Sequence, residues 1–115
     1  MRRKRVDEEA DRLDTVTRRA ALASQCAQKN ARIFREMRSC NTVVEATAMR
    51  RRALDNALRA RAHALAAEEV IHGPLGTHME YSRAIYDTVK AAFLGARAAE
   101  SCADAINEYY GGTWQ

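Results

Sequence analysis

Three observations predict an all-α fold. Residues 1–72 contain neither proline nor glycine. Alanine, the strongest helix former, supplies 23 of the 115 residues. Apolar or small residues recur every seven positions through the first part of the chain and every three to four positions through the last part.

The first element is a long arm over about residues 6–72. Val6, Leu13, Ala20, Ala27 and Phe34 form one seven-residue series, and Val16, Ala23, Asn30, Met37 and Val44 form a second. Together they make a heptad seam. Alanine at so many seam places lets helices approach closely but buries little surface, so the seam invites self-association or a partner. Asn30 and Asn41 fall on the seam, where a buried amide fixes register and an exposed one simply faces water; both readings are open. After Met49-Arg50-Arg51-Arg52 the phase shifts, and Leu54, Leu58 and Leu65 define a new stripe that ends at Val70 and Ile71. Thr42-x-x-Glu45 has the form of a capping box, which permits a break near Cys40-Asn41. One helix and a hairpin of two both fit; the absence of Pro and Gly favours continuity.

A Gly-Pro turn at 73–76 ends the arm. Gly73 suits the left-handed closure of a helix, and Pro74 has no N–H with which to continue one. Thr77-x-x-Glu80 then reads as a second capping box, opening a helical segment over about 77–110. Met79, Ile85, Val89, Ala92 and Phe93 form its first amphipathic face; Ala98, Ala99, Cys102, Ile106 and Tyr110 form its second. Gly95 either separates two helices or merely weakens one. The chain therefore divides into a basic arm (1–72), a turn (73–76) and an amphipathic segment with an aromatic C-terminus (77–115).

Composition limits the function. Few large apolar side chains are available, so the core is thin and a partner in a larger assembly is expected to supply further burial. Tyr81, Ile85, Val89, Phe93, Ile106, Tyr110 and Trp114 are the candidate docking residues, because large aromatics gathered near one end usually pack against something. No apolar run approaches the roughly 20 residues needed to span a bilayer. The odd cysteine count, Cys26, Cys40 and Cys102 without paired spacing, fits unpaired thiols in a reducing intracellular compartment, whether cytoplasm, cytoskeleton or nucleus.

Charge is unevenly spread. Residues 1–73 carry sixteen Lys and Arg against ten Asp and Glu, a balance of +6, whereas residues 74–115 carry three against five, a balance of −2. Arg50, Arg51, Arg52, Arg59 and Arg61 form a candidate surface for an acidic partner or for nucleic acid, since guanidinium groups bind phosphate bidentately. The competing reading is a solvated face paired with its own acids, Asp55 above all, and it is the simpler one. His63, His72 and His78 lack metal-ligand spacing, and no catalytic motif or cofactor loop occurs. The expectation is a non-enzymatic protein without a cofactor or metal.

The closing stretch Tyr110-Gly111-Gly112-Thr113-Trp114-Gln115 resembles the Tyr-x-x-Thr-Trp-His turn of the small homodimeric dynein light chains, and the likeness extends back to about Met79. Gln115 and Gly112 depart from that pattern, in which His and often Pro stand, and the chain stops where the family's sheet begins. The resemblance implies two helices separated near Leu94-Gly95 and a place in a dynein or ciliary assembly. It carries over no peptide-groove residue, because the strands that form the groove are missing. The sequence thus points first to a helical assembly or scaffold subunit, and second to a nucleic-acid-associated protein such as a ribonucleoprotein component.

Overall fold

The structure, a computed structural model, describes residues 2–72 and 79–111, with side chains described for 8–72 and 80–109. Three helices account for nearly all of it: α1 (Arg2–Glu36), α2 (Val43–His72) and α3 (Met79–Gly111). The arm is thus a hairpin, and the absence of Pro and Gly did not keep it continuous. A single 3-10 turn, Met37–Ser39, closes α1, and Cys40 then adopts an extended conformation (φ −70°, ψ 129°). The Thr42 box restarts the helix. The Glu45 N–H donates to Thr42 Oγ1 at 3.1 Å, while Glu45 Oε2 accepts from the Asn41 N–H at 3.4 Å. These contacts satisfy donors that the first helical turn leaves unpaired. The Gly-Pro turn, the Thr77 box and Trp114 lie outside the described residues.

The helices run up, down and up along a rod of 62 × 17 × 16 Å. Antiparallel α1 and α2 are marked by Arg19 beside His63 and Asn30 beside Asn56. Antiparallel α2 and α3 are marked by Arg61 beside Glu100 and Arg50 beside Asn107. Parallel α1 and α3 bring Asn30 to Ala99 and Phe34 to Tyr109.

The heptad seam of α1 faces inward. Val16, Ala23, Asn30 and Met37 are buried, and Leu13, Ala20, Ala27 and Phe34 pack half-buried beside them. α2 and α3 of the same chain occupy this seam, so its expected role in self-association is filled intramolecularly. Val44 would continue the series but is exposed, because the chain has already turned at Cys40–Thr42. α2 presents Ala46, Ala53, Ala57, Ala60, Ala64 and Ala67, all buried. α3 presents Ile85, Val89, Ala92, Ala96, Ala99 and Ile106. Alanine contributes little transfer free energy per residue, but its small size lets helix backbones come close enough for dispersion to operate along the whole rod. Glu9 also enters the interior at 2% exposure with neither carboxylate oxygen hydrogen-bonded, a desolvation cost that the rest of the packing offsets.

Gly95 does not divide α3, which runs unbroken from Met79 to Gly111. The two helices implied by the dynein light-chain resemblance are one helix here. Gly95 instead marks the close crossing of α1 and α3. A Cβ built there would stand 3.0 Å from the Ser24 backbone nitrogen and 3.1 Å from the Ala23 carbonyl carbon. Glycine forgoes about 1 kcal/mol of helix propensity at this position in exchange for that approach. Gly95→Leu is expected to force α1 and α3 apart and to lower stability by about 3 kcal/mol. Ala91→Leu, an added side chain on the exposed face of the same helix, should stay near wild type. Chemical denaturation of the two variants checks this, and equal stability would refute the role given to Gly95.

Candidate interaction surfaces on the second helix

The site begins with what sets the register of α2. Asn30 is fully buried, and its Nδ2 donates to the carbonyl of Ala53 on α2 at 3.0 Å and to that of Ala99 on α3 at 2.9 Å. Its Oδ1 accepts from Asn56 Nδ2 at 3.0 Å. Both amide hydrogens and the amide oxygen are thereby used, so the side chain is buried at little desolvation cost. Of the two seam asparagines, Asn30 is the register residue and Asn41 is exposed in the connection. The amide layer lies between two apolar clusters, one running from Val16 to Ala99 and one around Ile33, Met37, Ala53 and Ile106.

With α2 held in this register, its alanine stripe turns inward and its leucines turn out. Leu54, Leu58 and Leu65 are 56%, 61% and 48% exposed. Spacings of four and seven residues place them on one stripe of the helix. That stripe adjoins Arg50 and Arg61, which reach across to α3; on α3 itself Leu94 is 65% exposed and Tyr86 is also exposed. Two shallow hollows flank the α2–α3 seam. One, of about 470 Å³, involves Ile71, Tyr86, Val89, Phe93 and Leu94. The other, of about 380 Å³, involves Leu54, Ala103 and Asn107. Polar contacts bridge the seam between them: Arg61 Nε donates to Glu100 Oε1 at 2.7 Å, its guanidinium sits 5.5 Å from the Phe93 ring centroid, and Arg50 Nη2 donates to Asn107 Oδ1 at 2.5 Å.

The opposite flank of α2, towards α1, is basic. Arg52 and Arg59 of α2 meet Lys29 and Arg32 of α1 around an open groove of about 480 Å³, which Glu36, Asp55, Ile33 and Asn56 also line. Asp55 forms no ion pair within 4 Å with Arg51, Arg52 or Arg59, so the pairing expected around Asp55 is not formed. The five candidate arginines therefore separate. Arg50 and Arg61 belong to the α3 flank and are hydrogen-bonded there, Arg51 is exposed on α2, and only Arg52 and Arg59 join the groove. A linear reading does not mark Lys29 and Arg32, because nothing in it places them opposite residues of α2 that stand far along the chain.

The expected docking residues also separate. Ile85, Val89 and Ile106 are buried in the chain's own core, and that burial explains their three-to-four spacing without a partner. Tyr81 and Phe93 are half-buried. Tyr110 lies in α3 with its side chain outside the described residues, as is the whole of Trp114. The apolar surface that remains open is the leucine flank. The sequence marks this stripe as a continuation of the apolar seam and not as an open surface, because leucine is ordinarily the core residue and alanine the filler.

Arg19 Nη1 donates to His63 Nδ1 at 3.0 Å; arginine has only donors, so the imidazole is the acceptor and its proton sits on Nε2. Burial lowers the His63 pKa below its ordinary value of 6.5, helped by Arg19 and Arg59. His72 is exposed, 3.9 Å from Glu68, and His78 lies outside the described residues. Burial raises the Cys40 pKa, helped by Glu45 and Glu36, and its thiol contacts Met49 Sδ at 3.2 Å. A thiol held protonated is a poor nucleophile. Among the described residues no group of three His, Cys, Asp or Glu side chains stands close enough to hold a metal ion. No described helix is long and apolar enough to cross a membrane.

Two outcomes follow from this geometry. Asn30→Asp replaces a double donor by an acceptor facing two carbonyls, and it should cost roughly 3 kcal/mol at neutral pH. Folding raises the pKa of the new carboxyl, so the folded variant binds more protons and its deficit relative to wild type should shrink as pH falls from 7 towards 4. Denaturant titrations at several pH values measure that deficit, and a constant deficit would refute the carbonyl contacts. For His63 the sign is opposite to that of a paired histidine. The unfolded imidazole binds more protons, so its contribution to stability is complete above pH 6.5 and is lost as pH falls below that value. His63→Gln should flatten the decline in melting temperature between pH 7.5 and 5.5, and an unchanged slope would exclude His63 as its source.

Comparisons of this chain with protein-family models, with curated proteins and with solved structures return no match, so no family membership follows from them.

Proposed function

We propose that this chain is a non-enzymatic helical assembly subunit that packs against an amphipathic helix of a partner protein along its α2–α3 flank. The observation that carries this reading is the inversion of α2, with six alanines buried and Leu54, Leu58 and Leu65 left about half or more exposed on one stripe. Each exposed leucine forgoes on the order of 1 kcal/mol of burial free energy in the isolated chain. Isolated surface leucines need no explanation, but a row at helical spacing beside a hollow seam has the form of a helix-binding groove. A helix laid along it would place its own apolar residues between Leu58, Leu65 and Leu94, and would also cover Tyr86. Of the residues the sequence suggests for docking, Ile85, Val89 and Ile106 enter least, since α3 spends them on the intramolecular core. The terminal likeness to dynein light chains adds no support, because α3 is continuous where that family has two helices.

The test is the native state of the protein in its source. Tagged wild-type chain should elute from gentle extracts in a species well above its own 12.9 kDa. Leu58→Glu combined with Leu65→Glu should release it as a free subunit with its thermal stability retained, since neither side chain belongs to the core. A wild-type chain that migrates alone, or a double variant that stays in the complex, would overturn the proposal.

A further inference from the structure

The basic groove between α1 and α2 is separate from the leucine flank and calls for a different ligand. Lys29 and Arg32 approach it from one helix and Arg52 and Arg59 from the other, with Glu36 and Asp55 the only acids lining it, a local balance of +2. Among the described residues, none of these four cations lies within 4 Å of a carboxylate. The hairpin thus holds four unpaired cations around one concave surface, where each repels the others and a polyanion would relieve the repulsion. Arg52 and Arg59 are two helical turns apart, about 10.5 Å along the axis, so they contact a ligand at separated points and not as one clamp.

Three ligand classes carry suitable charge, and the surroundings separate them. An acidic protein helix would need apolar surface to bury beside its carboxylates, but Ile33, the one large apolar residue lining the groove, is only 8% exposed. The exposed leucines lie on the other flank. A single-stranded nucleic acid is held largely by bases stacking on aromatic side chains, and no aromatic residue lines this groove. A duplex presents its phosphates outward and its bases stacked inward, so guanidinium and ammonium groups suffice for binding without sequence preference. We propose that the α1–α2 groove, through Lys29, Arg32, Arg52 and Arg59, binds the phosphate backbone of a nucleic-acid duplex. This inference does not depend on the leucine flank: one face of α2 would take a protein and the other a polyanion.

The experiment is fluorescence anisotropy of the full chain with labelled 20-base-pair duplexes of RNA and of DNA at 50–200 mM salt. Wild type should bind at least one duplex, with log K falling against log salt at a slope of about −3.6 on DNA for four contacts. Arg52→Gln with Arg59→Gln should weaken binding at least tenfold at 50 mM salt and reduce the slope by about 1.8. Both side chains are exposed, so helix content by circular dichroism should be unchanged. Arg83→Gln with Arg97→Gln removes the same charge from the exposed face of α3 and should stay within twofold of wild type. Asp55→Asn should tighten binding. Absence of duplex binding at 50 mM salt would overturn the inference. So would equal losses in the two double variants, or single strands or polyglutamate of matched charge binding as tightly as duplex.

Discussion

The bundle depends on one buried amide. An alanine stripe repeats every three to four residues with little variation, so sliding one helix past another by a heptad replaces alanine with alanine at little change in packing. Asn30 removes that degeneracy. Its two donors reach carbonyls on both other helices and its oxygen accepts a hydrogen bond from the Asn56 amide. The carbonyls recur along each helix, but the Asn56 amide does not: a slip of α2 by one heptad would set Met49 or His63 in its place and take the matching amide donor from the buried Asn30 oxygen, at a cost of several times RT. Gly95 adds a steric register at a second level, since the backbone of α1 fits only where α3 lacks a side chain. A core of small residues needs such devices more than one of large residues, whose differing shapes specify register by themselves.

The small core has a second consequence. Because alanine fills the interior of α2, its leucines and arginines are displaced to the two flanks, and each flank takes the character of the helix beside it. On the side of Arg50 and Arg61, which reach α3, lie Leu54, Leu58 and Leu65; next to α1 lie Arg52 and Arg59 with Lys29 and Arg32. α2 is thus amphipathic across its width as well as between inside and outside. The two Arg side chains on the leucine flank, Arg50 and Arg61, are used within the chain, tied to Asn107 and Glu100. Those on the basic flank carry no such internal partner, and that difference makes one set structural and the other available.

The helical class, the inward heptad series of α1 and the Thr42 box were all legible in the sequence, because each rests on contacts within a few residues or on a period that any helix must obey. The amide at Asn30 was also visible on the seam, but its partners were not, since Ala53 and Ala99 lie 23 and 69 positions away. The surfaces were largely hidden. A linear reading assigns Ile85, Val89 and Ile106 to docking and treats arginines 50 to 61 as one group, because sequence distance carries no information about which helix stands opposite.

By itself, then, the sequence determined that the chain is helical, where a break in the arm is permitted and which face of α1 is apolar, all consequences of local backbone chemistry and of the 3.6-residue period. That the break is used, against the continuity that the lack of Pro and Gly favours, was decided by the packing of α2 on α1. The tertiary structure alone decided which stripe of α2 is the inside. Leucine has the greater hydrophobic stake in that place, but the close approach of α1 to α3 at Gly95 and the meeting of all three helices at Asn30 leave room only for alanine. Close backbone approach prevailed over transfer free energy, and the side chains excluded by it became the surfaces of the protein.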